Sequence, residues 1–188
     1  SARVNPGYTF VDWTENGVRV STSSNIQFTL NANRNFVANF RAIPASQFAV
    51  LLTSSPAAGG TTDGEGAYAA GTSVTITSVA NTGYTFTNWT DLASGAVVSA
   101  SPNYTFALSA NRSLVANFLL NTYTLTVNAV NGTVSKAPDQ TRYNHGSNVV
   151  LTATPAAGYV FSSWSGDATG TTNPLTVSMT SNKNITAN

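Results

Sequence analysis

The stretch Gly83-Tyr84-Thr85-Phe86-Thr87-Asn88-Trp89 decides the fold, because the chain carries three versions of it. An earlier version is Gly7-Tyr8-Thr9-Phe10-Val11-Asp12-Trp13, and a later one is Gly158-Tyr159-Val160-Phe161-Ser162-Ser163-Trp164. All three tryptophans of the protein lie in these motifs, 76 and 75 positions apart. A fixed period of this size, with the large aromatics in register, means tandem copies of one small domain. Residues 1–41 form the C-terminal half of a copy, 46–118 a second copy and 122–188 a third. Both ends fall inside the repeat register, so the natural N-terminus is expected upstream.

After each tryptophan comes a polar stretch and then an alternating run. In Ile26-Gln27-Phe28-Thr29-Leu30 the apolar residues share one face. Their counterparts are Tyr104, Phe106 and Leu108, then Leu175, Val177 and Met179. A short Asn-rich segment follows (Asn31 to Asn35, Ser109 to Ser113, Thr180 to Asn184), which suits a hairpin turn because Asn tolerates left-handed backbone. The return strand is Phe36-Val37-Ala38-Asn39-Phe40, with Phe36, Ala38 and Phe40 expected inward and Val37 and Asn39 outward. Leu114-Val115-Ala116-Asn117-Phe118 and Ile185-Thr186-Ala187-Asn188 repeat it.

Only the second and third copies contain a first half. Phe48-Ala49-Val50-Leu51-Leu52 matches Tyr123-Thr124-Leu125-Thr126-Val127, and Gly60-Thr61 and Gly132-Thr133 follow as turns. Val74-Thr75-Ile76 and Val149-Val150-Leu151 then lead into the aromatic motif. The pattern predicts about six short strands per copy. No stretch sustains a 3.6-residue period with caps, so the fold class is all-β with little or no helix. Brief apolar linkers, 42–45 and 119–122, predict a fairly stiff string of domains.

Units this small are marginal alone. The chain has no cysteine, so aromatic packing and neighbouring copies must supply the stability. Charged residues make up only 8%, and the net charge is +1. No basic cluster exists to displace counterions, which argues against nucleic acid as a partner. No apolar run approaches the ~20 residues of a membrane span. The Ser/Thr/Asn-rich, charge-poor composition predicts a secreted or cell-surface protein.

Within the motif, Tyr and Phe lie two apart and share a strand face: Tyr8 and Phe10, Tyr84 and Phe86, Tyr159 and Phe161. These are the expected structural core residues. Trp lies three after Phe, which regular alternation places on the other face. Either a bulge returns it to the core, or the strand ends and the indole covers an edge. Core packing is the ordinary use of such aromatics; a sugar-stacking platform is the alternative.

The pattern Tyr-x-Leu-x-Val, Gly-Thr-Val, Gly-Tyr-x-Phe-x-x-Trp-Ser-Gly-Asp and Asn-Lys-x-Ile-x-Ala over residues 123–187 resembles the divergent internalin-B-type repeat of bacterial surface proteins. The resemblance is closest in the third copy, through Trp164-Ser165-Gly166-Asp167 and Asn173-Pro174-Leu175. It covers half a unit in the first copy and departs in the loops of the second. It implies a small β-grasp-like unit, strung in arrays on secreted or wall-attached proteins. It also implies no enzymatic activity and no shared catalytic residues, with a spacer or stalk role that is sometimes adhesive.

Candidate chemistry is sparse. The single histidine, His145, aligns with Ala70, so no repeated function needs it. An acidic residue follows each tryptophan: Glu15, Asp91 and Asp167. Such a residue is ordinarily a turn side chain bonding nearby amides. The alternative makes Trp13, Glu15, Trp89, Asp91, Trp164 and Asp167 candidate ligand contacts, an aromatic beside a carboxylate as in sugar sites. Asp63-Gly64-Glu65-Gly66 offers two carboxylates in a glycine loop, but 136–140 lacks the pattern and calcium needs six to eight oxygens. Neither a metal nor a cofactor is expected.

Three functions compete. The first is a stalk, spacer or fibre segment whose partners are neighbouring repeats. The second is a glycan- or host-protein-binding module using the variable loops 14–25, 90–103 and 165–173, since recognition normally sits on loops of a rigid scaffold. The third is head-to-tail self-association through open β edges at the incomplete copies.

Overall fold

The computed structural model describes residues 1–44 and 46–188. The chain forms two compact units, residues 1–119 and 120–188.

The first unit opens with β1 (Tyr8–Glu15), β2 (Val18–Ser21) and β3 (Phe36–Ala42), a sheet of order β2-β1-β3. The second copy follows as β4 (Gln47–Ser55), β5 (Gly60–Asp63), β6 (Gly66–Ala69), β7 (Ser73–Ala80), β8 (Tyr84–Asp91), β9 (Val97–Ser99), β10 (Tyr104–Ala107) and β11 (Arg112–Leu120). These strands make two sheets, β6-β4-β11-β8-β9 and β10-β7-β5. The unit of residues 120–188 holds β12 (Thr122–Tyr123), β13 (Leu125–Ala129), β14 (Gly132–Ala137), β15 (Tyr143–Asn144), β16 (Asn148–Pro155), β17 (Trp164–Gly166), β18 (Leu175–Ser178) and β19 (Lys183–Ala187). Its sheets are β13-β19-β17, β14-β16-β18 and the short pair β12-β15. One 3₁₀ turn, Ala57–Gly59, is the only helical element among the described residues. The all-β expectation holds for the reason it was drawn: Thr, Val and aromatic residues alternate along short runs that Gly and Asn interrupt.

Each complete copy buries its alternating faces between its two larger sheets. In the second copy Val50, Leu52, Leu114, Ala116 and Trp89 from one sheet meet Val74, Ile76 and Phe106 from the other. In the third, Leu125, Ile185, Ala187 and Trp164 meet Val149, Leu151 and Val177. The opening strand of each copy pairs in parallel with its closing strand: β4 with β11, from Val50↔Arg112 to Ser55↔Asn117, and β13 with β19, from Leu125↔Lys183 to Ala129↔Ala187.

That parallel pairing overturns the hairpin expected at the Asn-rich segments. β10 pairs with β7 and β11 with β4, so the two strands flanking that turn lie in different sheets. The segment needs no left-handed residue, and the non-glycine residues with positive φ among those described are Asn16 and Asn131. Instead the side chain of Asn111 accepts the Ala49 N–H at 2.8 Å, and that of Asn182 accepts the Thr124 N–H at 3.0 Å. Each asparagine fastens the start of the opening strand to the closing strand.

The run 26–30 of the first copy is a second correction, since it is not a strand. Its counterparts β10 and β18 pair with β7 and β16, and residues 1–44 contain no equivalent strand. An alternating run without a ladder partner stays irregular. Asn39 also departs from expectation, being half-buried, whereas Phe40 is 40% exposed.

Gly60 and Gly132 open strands β5 and β14 rather than forming turns. Their role is close approach: a Cβ on Gly132 would lie 2.6 Å from the Thr154 carbonyl oxygen, and one on Gly60 would overlap the Phe118 ring. Of the residues expected to form linkers, Ala42 ends β3, Leu119 and Leu120 continue β11, and Thr122 begins β12; Ala45 lies outside the described residues.

Candidate functional site

The three tryptophan motifs recur along the whole chain. In β1 the register against β3 runs Phe10↔Phe40 and then Asp12↔Asn39, which leaves Val11 as an extra residue. This bulge turns Trp13 back to the face of Phe10, and the two ring centroids are 5.9 Å apart. The same pair recurs as Phe86–Trp89 at 6.0 Å and Phe161–Trp164 at 5.2 Å. Trp89 is 0% exposed and Trp164 is 2% exposed, while Trp13 is half-buried. Phe10 is buried, and Phe86 and Phe161 pack partly buried against their cores. The tyrosines differ: Tyr84 packs against its core, whereas Tyr8 and Tyr159 are about half exposed.

Each indole N–H is spent on a carbonyl in the variable loop that follows it. Trp13 donates to Ser24 at 3.3 Å, Trp89 to Pro102 at 3.2 Å and Trp164 to Thr172 at 2.9 Å. A buried indole needs such a partner, and here the bond also ties a loop of changing length to a constant core.

A second repeated device went unrecognised in the sequence. An asparagine in the closing strand, or just past its end in the third copy, reaches the residues on both sides of the tryptophan. Asn39 donates to Asp12 at 2.7 Å and Thr14 at 3.2 Å. Asn117 donates to Asn88 at 2.8 Å and Thr90 at 3.0 Å. Asn188 donates to the Ser163 carbonyl at 3.3 Å and the Ser165 hydroxyl at 2.9 Å. Alternation placed this asparagine outward; its recurrence at one register in all three copies was the available signal.

The acidic residues after the tryptophans do not form a common site. Glu15 pairs with Arg34, and this contact holds its carboxyl below the ordinary range. Asp91 accepts the Ser94 N–H and hydroxyl, each at 2.9 Å, and the Ala93 N–H; these bonds lower its pKa. Asp167 accepts the Asn184 N–H at 2.6 Å. Each carboxylate is thus engaged in its own local structure. With Trp89 and Trp164 buried, the aromatic-plus-carboxylate arrangement has no exposed indole in the second and third copies.

The glycine loop 63–66 does something else. Glu65 accepts the Ser24 N–H at 3.1 Å and the Ser24 hydroxyl at 2.9 Å, joining the loop of the first copy to the second copy. Burial pushes the Glu65 carboxyl above its ordinary value despite those bonds, and nearby Asp63 adds to the rise. The Tyr68 hydroxyl donates to the Gly64 carbonyl at 2.9 Å, closing the loop from beneath. Among the described residues no three His, Cys, Asp or Glu side chains gather where they could hold a metal ion. His145 lies beside Tyr123, 3.4 Å from ring nitrogen to hydroxyl, and among the described residues it forms no ion pair with a carboxylate of the kind that orients a general base.

A divergent InlB B-repeat domain model matches residues 1–44, 50–122 and 123–188. The chain belongs to the divergent InlB B-repeat family. No curated protein and no solved structure matches it. The family is one of repeat modules, usually of bacterial surface proteins and typically non-catalytic. In this InlB B-repeat chain the constant elements are the inward Phe–Trp pair, the indole bond to the loop and the asparagine clamp. Among the described residues no helix is long and apolar enough to cross a membrane.

Proposed function

We propose that the chain is a tension-bearing stalk or spacer segment of a secreted or wall-attached bacterial protein. The observation that carries this reading is the parallel pairing of opening and closing strands in both complete copies. Force applied at the two ends of such a copy pulls β4 and β11, or β13 and β19, in opposite directions along their length. The ladder bonds are then loaded together in shear, whereas a hairpin loaded at its ends opens one bond at a time. The asparagine bonds to Ala49 and Thr124 lock the N-terminal end of each ladder. The tryptophans of the two complete copies fit the same role, since their buried indoles strengthen the cores and are withdrawn from any ligand.

Single-molecule pulling on the intact chain tests this. Forced unfolding reports the barrier to unfolding rather than the equilibrium stability. Two high-force events are expected, and Asn182→Ala should lower one of them selectively. Unfolding of both copies at the low forces typical of hairpin unzipping would refute the stalk reading. A glycan and matrix-protein panel is the counter-test. Binding that disappears on exchange of loops 14–25, 90–103 and 165–173 would move the function to those loops.

A further inference from the structure

We infer that the glycine loop 63–66 is the docking element by which the second copy holds the copy before it, and that the Glu65 carboxyl makes this joint tighten in acid and loosen as it ionises. Such a joint would serve a stalk and a binding module alike, so it stands apart from the load-bearing reading.

The first and second copies lie in one compact unit, residues 1–119. Between them, the polar groups of Ser24 are all spent. Its N–H and hydroxyl go to Glu65 at 3.1 and 2.9 Å. Its carbonyl accepts the Ala2 N–H at 2.9 Å and the Trp13 indole N–H at 3.3 Å. Ser24 is 5% exposed, so it is fixed to the aromatic motif of one copy and to the glycine loop of the next. The loop is equally fixed on its own side. Gly64 lets it lie against β7, since a Cβ there would sit 2.6 Å from the Thr75 carbonyl oxygen. The Tyr68 hydroxyl holds the Gly64 carbonyl at 2.9 Å, and the Leu52 amide bonds the Glu65 carboxyl. Glu65 is thus presented by a braced loop rather than a free tip.

The groups around the carboxyl set the sense of its titration. Asp63, on the same loop, carries like charge, and Tyr68 on β6 stays neutral because burial raises its pKa. Arg3, before β1, and Arg41, in β3, each line a surface hollow together with Glu65, but among the described residues neither forms an ion pair with it. An ionised carboxylate in this joint loses water and gains no cation. Docking therefore favours the neutral acid, and burial, ahead of Asp63, raises the Glu65 pKa. The neutral acid also suits Ser24: its protonated oxygen can donate to the Ser24 hydroxyl while the other accepts the Ser24 N–H. Docking is at full strength below the ordinary carboxyl pKa. It weakens by up to about tenfold per pH unit between that value and the raised one, and is level above it.

Matched residues elsewhere do not carry this pair. Pro102 and Thr172 take the place of Ser24 as acceptors of the indole N–H, and Pro102 has neither an N–H nor a hydroxyl. Gln140, placed before Tyr143 as Glu65 is before Tyr68, does not ionise.

The chain has no cysteine, so Val18→Cys in β2 and Val97→Cys in β9, both exposed positions, put one spin label on each copy. Double electron–electron resonance on the full chain then reads the distance between the copies across a pH series. One narrow distribution is expected below the ordinary carboxyl pKa of about 4.3, broadening toward neutral pH. Glu65→Gln should stay narrow throughout, and Glu65→Ala should be broad throughout. Circular dichroism checks that each variant keeps its strands; if Glu65→Ala loses them, the comparison of the unsubstituted chain with Glu65→Gln decides alone. A distribution indifferent to both pH and Glu65→Ala would overturn the docking role. Equal broadening with and without Glu65→Gln would overturn the role of ionisation, as would broadening toward acid.

Discussion

Leu114→Ala and Phe36→Ala test the internal comparison most directly, because the two positions share one register and differ in cover. Leu114 is 1% exposed and packs among Leu52, Ile76 and Trp89 in the core of the second copy. Truncating a leucine in such a place removes its transfer energy and leaves a cavity, at a cost of about 2–5 kcal/mol. Phe36 sits on the open edge, with the Phe28 ring 4.8 Å away, the Trp13 ring 6.5 Å away and the Arg34 guanidinium 5.0 Å from its own ring. Water can collapse into that side, so the loss is mainly the aromatic contacts, about 1 kcal/mol. The larger side chain should therefore cost less. Native-state hydrogen exchange gives opening free energies for β11 and β3 separately in the same chain. Equal losses, or a greater loss at Phe36, would show that the first copy is as well covered as the second. The matched-position comparison would then fall.

Three other outcomes follow from the same geometry. Asn117→Ala removes two good half-buried bonds and should lower stability by about 1–2 kcal/mol, measured by urea denaturation. Gly132→Ala should cost about 1–3 kcal/mol by the same assay, because its Cβ would meet the Thr154 carbonyl oxygen at 2.6 Å. For Glu65 the folded-state pKa is raised, first by burial. Its contribution is therefore fully present below the ordinary carboxylate pKa and is lost as pH rises through the raised value. Glu65→Gln keeps an acceptor for Ser24 and should flatten that decline, seen as exchange protection of the Ser24 amide across a pH series. Glu15 and Asp91 shift the other way, so their contributions are lost as pH falls; both carboxyls lie near the surface, where solvent screens their effect.

The repeat, the all-β class and the family were legible in the sequence, because each follows from local pattern and register. Periodicity identified Leu114 and Ile185 as inward residues, and the offset of three between Phe and Trp posed the choice between a bulge and a strand end, which the β1 register settles as a bulge for Trp13. What the sequence could not supply was pairing. Two strands joined by a short Asn-rich turn look like a hairpin, yet β10 and β11 part into different sheets because each finds a better-matched partner far along the chain. The same blindness hid the asparagines. Asn111 and Asn182 looked like turn formers, and Asn39, Asn117 and Asn188 like outward strand residues, until tertiary packing brought their acceptors and donors within reach. Glu65 is the clearest case: 41 positions separate it from Ser24, and only the packing of the first copy on the second turns an ordinary loop carboxylate into a buried contact. Local order in this protein is set by alternation over a few residues. Which edge is covered, and which polar group is spent, is set by contacts between segments distant in the chain.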